Sequence, residues 1–568
     1  MRDWLSYRAG IDPGREALAD TATDTSYTFG TLDTLVDDLA GRLAAVGVGA
    51  GTHLGAVARP CVEYVCLIHA AMRLGATLVP MGDELTAREL SVQMDAADVD
   101  TVVCDDATED AVAGAVAALD RGNADVGSDG DSPGDTIAIA TIDQSEHGRI
   151  KPLSAATAEP VQPPSWSLDD TQLILFTSGT TGDPKPVRLT TGNLLASAAA
   201  SAFRLGFAPD DRWLVTLPLH HTGGISPILR LPIYGTTVVL RDGFDAGDAA
   251  DDLEAYDATA VSLVPTMLRR MLDRRGTLAE SLRVVLLGGA SAPTELIERC
   301  RDYSVPVFPT YGMTETASQI ATARPAEAFE TPESVGSPLF LTDVRIVDDA
   351  GDPLPAGEPG EIVVDGATVT PGYYDTPTAT EAAFGTFGLH TGDVGVLDES
   401  GSLTLLNRLD DLIVTGGENV DPGAVATVLA DHPDVSEAAV VGVPDTEWGE
   451  RVSALVVPGP GVLRPGSDPE PEADRCLNRE DVLGFARDRL AAYKVPKAIN
   501  FAESVPRTVS GTVDRAAVRD HFVGGDNEDS GDERGSEDDS GEGEAVQNSG
   551  DDVRNGNADE QDGDSVDG

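Results

Sequence analysis

The sequence predicts a layered α/β protein followed by a β-rich unit and a small α/β domain, and three patterns predict it. Apolar residues at helical spacing alternate with short apolar runs over residues 28–120 and again after Thr171, as in βα units on a largely parallel sheet. From Val344 the pattern changes to short strands separated by Gly/Pro turns. After Arg408 a third pattern begins and ends near residue 520.

The elements follow in order. Leu32, Leu35, Leu39 and Leu43 have helical spacing within Thr31–Leu43. His53–Ala58 reads as a strand, Val62–Arg73 as a helix, and Gly75–Pro80 and Thr101–Cys104 as further strands. Residues 121–165, rich in Gly, Ser, Asp and Pro, read as a surface excursion. Leu173–Phe176, Trp213–Leu217, Thr237–Leu240, Ala260–Val264 and Val284–Leu287 are runs of strand length with helical stretches between several of them. Val344–Val347, Glu361–Val364 and Leu403–Leu406 make the β-rich unit. Ala424–Leu429, Ala438–Val441, Ser453–Val457 and Asp481–Leu490 make the last domain. Beyond Gly524 there is no aromatic residue, and the segment 521–568 is expected to be a disordered acidic tail.

Composition narrows the function classes. The 568 residues are 41 % hydrophobic and 24 % charged, a globular balance. Lys+Arg number 39 against 97 Asp+Glu, a net charge of −58, so nucleic acid and anionic lipid are poor partners. Only four of the basic residues are lysines: Lys151, Lys185, Lys494 and Lys497. Residues 524–568 carry a net −15, which leaves −43 on the remainder. Self-repulsion on that scale needs screening, so the expected setting is the cytoplasm of a cell that keeps molar salt inside. No apolar run approaches the ~18 residues of a membrane span, and the N-terminus does not read as a secretory signal. Cysteines 61, 66, 104, 300 and 476 include no C-x-x-C pair, and read as small core residues in a reducing compartment.

The most informative string is Thr177-Ser178-Gly179-Thr180-Thr181-Gly182-Asp-Pro-Lys185-Pro, directly after a strand. Small residues let backbone N–H groups approach phosphate oxygens, and the lysine adds a point charge. It is not the G-x-x-x-x-G-K-[ST] loop, because Asp183-Pro184 separates Gly182 from Lys185.

That string resembles the phosphate loop of the acyl-adenylate-forming superfamily, which includes acyl-CoA synthetases, peptide-synthetase adenylation domains and firefly-type luciferases. Tyr311-Gly-Met-Thr314-Glu315-Thr is similar to its core motif, Thr391-Gly-Asp393 to its ribose motif, and Arg408–Asn419 to its hinge motif. Tyr493-Lys494-Val-Pro496 and Pro506–Gly511 are similar to its two C-terminal motifs, so the resemblance spans roughly residues 15–520. It implies a large N-terminal domain of two α/β subdomains plus a β-rich subdomain (1–407), and a small mobile α+β domain (408–520) hinged near Asp410. It implies ATP, Mg²⁺ and CoA as cofactors and co-substrates, while the charge and the lack of a long apolar run give the expectation of no nucleic acid and no membrane insertion. A carboxylate attacks the α-phosphorus of ATP, and a thiol then displaces AMP. By resemblance, Thr177–Gly182 and Lys185 hold the β- and γ-phosphates, Thr314 reaches the α-phosphate and Glu315 binds Mg²⁺. Asp393, aided by Arg408, accepts the ribose hydroxyls, while Gly289 and Ala290 with Tyr311 enclose adenine.

One position departs from the family. The last motif carries a lysine after Ser-Gly; here Ser510-Gly511 precedes Thr512, which brings no charge. Losing one such contact costs about 10²–10³ in rate. Another cation (Arg515, Arg507 or Lys494) substitutes, the first step is slow, or the protein binds adenylates without making them.

Leu217-Pro-Leu-His220-His221-Thr-Gly-Gly-Ile-Ser226, with Arg230 and Tyr234-Gly235, resembles the branch that joins 2-succinylbenzoate to CoA in menaquinone synthesis. Thr314–Ile320, including Ser318 and Gln319, adds to the match. That acid keeps a second carboxylate, which Arg230 can meet, while His221 gates the acyl pocket and His220 is given no role. The rival substrates are other aryl or medium-chain acids.

Overall fold

The computed structural model describes residues 3–125, 137–145, 147–177, 184–408, 413–415, 418–445, 448–463, 475–507 and 513–523. Two sheets build the N-terminal part. The first has seven strands in the order Lys151–Pro152, Ala138–Thr141, Thr101–Cys104, His53–Val57, Thr77–Pro80, Thr171–Thr177, Lys185–Thr190. All neighbours in it are parallel except the last pair. Its central strands His53–Val57, Thr77–Pro80 and Thr101–Cys104 are Val- and Leu-rich and almost wholly buried, as parallel strands covered by helices are. The helix Val62–Leu74 buries twelve of its thirteen residues, and Gly75 ends it in the left-handed conformation at φ 80°.

The second sheet has a parallel centre: Val307–Met313, Val284–Leu287, Ala260–Leu263, Arg212–Val215, Thr237–Leu240 and Glu16–Asp20. Beyond Val307–Met313 it continues, now antiparallel, through Ser318–Thr322, Ser334–Pro338, Leu403–Arg408, Gly388–Leu397, Gly360–Gly366 and Thr342–Val347. The β-rich unit is therefore hydrogen-bonded into the α/β sheet, which the change of pattern at Val344 did not reveal. The small domain is a five-stranded sheet around Val435–Asp445 and Gly449–Pro458, with helices Pro422–Ala430, Arg479–Arg487 and Arg515–Val523.

Two expectations need correcting. The stretch 121–165 is not wholly a surface excursion, because Ala138–Thr141 pairs in parallel with Thr101–Cys104 inside the first sheet. Its alternation was too short to register beside the polar residues around it. Nor are all five cysteines in the core: Cys66, Cys104 and Cys300 are buried, Cys61 is half-buried and Cys476 is exposed. All five are free thiols.

Several candidate residues follow the carboxyl ends of parallel strands, where open α/β sheets bind ligands. Thr177 ends one strand, Leu217–His221 follows another, and Gly288–Ala290 follows a third. Tyr311 to Met313 close a fourth.

Candidate active site

Thr177 pairs with Lys185 across the antiparallel edge of the first sheet. The loop between them, including Ser178, Gly179, Thr180, Thr181 and Gly182, lies outside the described residues, as do Asp410 and Thr512. The Lys185 ammonium stands over the Tyr373 ring, 5.3 Å from its centroid, within cation–π range. The Tyr373 hydroxyl donates to Glu315 Oε1 at 3.1 Å. Glu315 is only 5 % exposed. Its backbone carbonyl accepts the Thr370 N–H at 2.7 Å.

Thr314–Thr316 form a single 3₁₀ turn after the strand Val307–Met313. The chain then passes through Ala317 at φ 55° and Ser318 at φ 143°, two positive values that non-glycine residues rarely hold. Gly312 makes that reversal possible, since a Cβ there would lie 1.8 Å from the Ser318 carbonyl oxygen.

Tyr311 donates its hydroxyl to Asp393 Oδ2 at 2.6 Å, so the core and ribose motifs meet directly. Asp393 lies opposite Arg408 in the antiparallel register. One carboxylate braces the turn that carries Asp393: Glu361 Oε1 accepts the Gly392 N–H at 3.1 Å, and its Oε2 lies 2.7 Å from His390 Nδ1. Thr391 Oγ1 donates to the Ile362 carbonyl at 2.8 Å and accepts the Asp393 N–H at 3.1 Å. Gly289 leaves its strand at φ 79°. Ala290 lines a cleft of about 630 Å³ that Pro293 and Leu405 share with Ala426, Thr427 and Arg507 of the small domain. Arg507 is paired there with Glu437.

His221 occupies the N-cap position of the helix Thr222–Tyr234. The rings of His220 and His221 are 4.2 Å apart. Burial holds both neutral: the His220 imidazole is pushed down to about 3 by desolvation and the neighbouring His221, and His221 is lowered by desolvation. Arg230, on the same helix, is 7 % exposed. Its guanidinium donates to Ser201 Oγ at 3.2 Å and Ser197 Oγ at 2.9 Å. Ser197 Oγ donates in turn to the Ala317 carbonyl at 3.0 Å, which places Arg230 directly behind the strained turn. Among the described residues no carboxylate pairs with Arg230, and desolvation lowers its pKa. Gln319 donates to Thr322 Oγ1 at 2.9 Å, while its Oε1 is buried without a hydrogen-bond partner. No hydrogen bond or ion pair among the described residues joins His221 to Arg230.

Sequence reasoning missed Tyr373, Glu361 and His390, and gave His220 no role. Gly372-Tyr373-Tyr374 was the available signal for the first: a pair of aromatics after a glycine at φ 133°. The second and third carry no signal outside the fold, because the strand pairing makes the contact. Among the described residues no group of three His, Cys, Asp or Glu could hold a resident metal. The buried carboxylate of Glu315 suits Mg²⁺, which keeps waters and takes one or two carboxylates plus substrate phosphates.

The fold and the order of these residues have a family to match. The model for AMP-binding enzymes matches residues 5–374, and that for the AMP-binding enzyme C-terminal domain matches residues 424–512. The chain belongs to the AMP-binding enzyme family. Within it, the chain is 37 % identical over 521 residues to the 2-succinylbenzoate–CoA ligase of Bacillus cereus (strain Q1), covering 91 % of this chain and 98 % of that one. Among solved structures it resembles o-succinylbenzoate CoA synthetase from Bacillus subtilis holding its acyl-adenylate intermediate, with a TM-score of 0.79 and 33 % identity over 91 % and 98 % of the two chains. ATP-bound MatB from Rhodopseudomonas palustris superimposes as well, with a TM-score of 0.79, but at 27 % identity over 92 % and 99 %. Backbone similarity thus defines the family, and the side chains must distinguish its substrates.

Proposed function

We propose that the chain is an ATP-dependent carboxylate–CoA ligase that converts 2-succinylbenzoate, ATP and CoA to 2-succinylbenzoyl-CoA, AMP and pyrophosphate. Identity with 2-succinylbenzoate–CoA ligases over nearly their whole length supports the reading. The observation that carries the choice of acid is Arg230, a buried guanidinium held only by two serine hydroxyls among the described residues. A buried cation without a counter-charge is costly, and an acid with a second carboxylate supplies one. A monocarboxylic acid leaves it uncompensated.

In the first half-reaction a carboxylate oxygen attacks the α-phosphorus, and the bond to the bridging oxygen breaks to release pyrophosphate. Lys185 and the Thr177–Gly182 backbone hold the outgoing phosphates, and Thr314 contacts the α-phosphate. Mg²⁺, bound with ATP, spreads the phosphate charge, and Glu315 is the carboxylate that would hold it. Asp393, braced by Tyr311 and Glu361, accepts the ribose hydroxyls with Arg408 beside it, and Gly289 and Ala290 give backbone room for adenine. Arg230, His221, Ser318 and Gln319 line the acyl side. In the second half-reaction the CoA sulfur attacks the acyl carbon, the thiol proton leaves to solvent and AMP departs. The small domain turns about Asp410 between the two steps.

Thr512 argues for a slow first step, and supports a second reading: a protein that binds adenylates without forming them. The test is incubation in molar KCl with ATP, Mg²⁺, CoA and 2-succinylbenzoate or a panel of monocarboxylic acids. Thioesters are followed by mass spectrometry and pyrophosphate in parallel. The expected result is 2-succinylbenzoyl-CoA with poor turnover of monoacids. Monoacid thioesters alone would overturn the substrate, and ATP binding without pyrophosphate would favour the second reading. The charge supports a salt-rich cytoplasm as the working environment. Among the described residues no helix is long and apolar enough to cross a membrane.

A further inference from the structure

Tyr373 touches both ends of the phosphate site. Its ring lies under the Lys185 ammonium at 5.3 Å, and its hydroxyl donates to Glu315 Oε1 at 3.1 Å. The residue is 8 % exposed, so the side chain is held within the protein between the two charged groups.

Its place is fixed from every side. The Tyr373 N–H donates to Thr380 Oγ1 at 3.0 Å, and Tyr373 forms a β-bridge with Val187. The flanking residues tie the same segment to the strand that carries Lys185: Arg188 N–H donates to the Gly372 carbonyl at 3.1 Å, and Tyr374 N–H to the Pro186 carbonyl at 2.8 Å. On the other side Thr370 N–H donates to the Glu315 carbonyl at 2.7 Å, and Thr370 Oγ1 to the Arg188 carbonyl at 2.5 Å. The segment 370–374 therefore stitches the Lys185 strand to the Glu315 turn, and Tyr373 is its side chain that reaches both charged groups.

We propose that Tyr373 is a positioning residue that sets the spacing between the Lys185 cation and the Glu315 carboxylate, and so pre-forms the site for the Mg²⁺-bound triphosphate. The inference rests on the reading of Lys185 and Glu315 as the phosphate and magnesium residues. A lysine and a carboxylate that meet one tyrosine side chain from its two ends attract each other, and a direct pair would consume both charges before substrate arrived. The tyrosine offers a separate contact to each: its ring to the ammonium and its hydroxyl to the carboxylate. The ring offers the ammonium a face that polyanionic phosphate readily outcompetes, and the hydroxyl orients one carboxylate oxygen.

The two halves of the side chain separate experimentally. Tyr373→Phe keeps the ring and removes only the donor; Tyr373→Leu removes both. Binding of ATP is measured by calorimetry in molar KCl at a series of Mg²⁺ concentrations, without acid or CoA, alongside thermal midpoints of the ligand-free proteins. Tyr373→Phe should raise the Mg²⁺ concentration needed for half-maximal ATP binding by about 5–10-fold, leaving ATP affinity at saturating Mg²⁺ within about twofold. Tyr373→Leu should also weaken binding at saturating Mg²⁺, by about tenfold. If Tyr373→Phe binds Mg²⁺ and ATP as the parent does, the positioning role is overturned while the phosphate site stands. A shift confined to the thermal midpoint overturns it equally, since that is what packing alone would give. If the parent binds no ATP at any Mg²⁺ concentration, the reading of the site fails, and this inference with it.

Discussion

Arg230 and His69 are both buried groups without a charged partner among the described residues, and their consequences differ. Replacing Arg230 by Met removes the cation and keeps the stem. The kcat/KM for 2-succinylbenzoate should fall on the order of 10²-fold, while activity on monocarboxylic acids is unchanged or improves. Steady-state rates on the two substrates check this, and a uniform loss on both would return Arg230 to a packing role. His69 is fully buried with neither ring nitrogen hydrogen-bonded, and desolvation pushes it down to about 4. Above pH 6.5 it is neutral whether folded or not, so it has no effect. As the pH falls from 6.5 towards 4, the unfolded chain takes up the proton and the folded chain does not, so stability is lost across that window. Below it both forms are charged and the loss stops. Denaturation at pH 7 and pH 4.5 should therefore show the His69→Leu variant losing roughly 2–3 kcal/mol less than the parent.

At the scale of elements, the turn before the helix Thr222–Tyr234 decides where His221 sits. A Cβ at Gly224 would lie 2.2 Å from the Pro218 carbonyl oxygen and 2.4 Å from that of Leu217. Backbone cannot yield as a flexible side chain does, so Gly224→Ala must push the helix start away from the Leu217–His221 segment. The cost should be about 1–3 kcal/mol in stability, with a larger loss of activity on acid than on ATP binding. Chemical denaturation and separate KM values for acid and ATP test this. An unchanged KM for the acid would show that the turn does not form the acyl pocket. The far end of the same helix is held by Arg8, whose guanidinium donates to the Pro232 and Ile233 carbonyls at 2.8 and 2.9 Å. Those acceptors are left over because a helix has no donors for its last carbonyls.

Over the whole molecule, charge and topology are decided by different things. At −58 the chain repels itself, and raising KCl from 0.1 to 1 M shortens the Debye length from about 10 to about 3 Å. The thermal midpoint should rise over that range. It should still rise after truncation behind Val523, because the remainder keeps −43. A truncated chain equally stable at both salt concentrations would place the salt requirement in the tail. Strand existence in the cores was legible because βα units repeat hydrophobic periodicity over whole segments: Thr237–Leu240 and Val284–Leu287 are strands over the very residues the apolar runs marked. Ala138–Thr141 was not, since four residues in polar surroundings have no period of their own, and only its neighbour Thr101–Cys104 makes it a strand. The same division holds at the site. The sequence alone determined the charge, the order of the motifs and hence the family chemistry, because phosphate recognition depends on residue types at short spacing. Only the tertiary structure decided that Tyr373 joins Lys185 to Glu315, that Glu361 braces the turn carrying Asp393 and that Arg230 is buried with no carboxylate on it among the described residues. Those contacts link residues from 29 to 188 positions apart, or depend on what is missing around a side chain, and no local pattern records either.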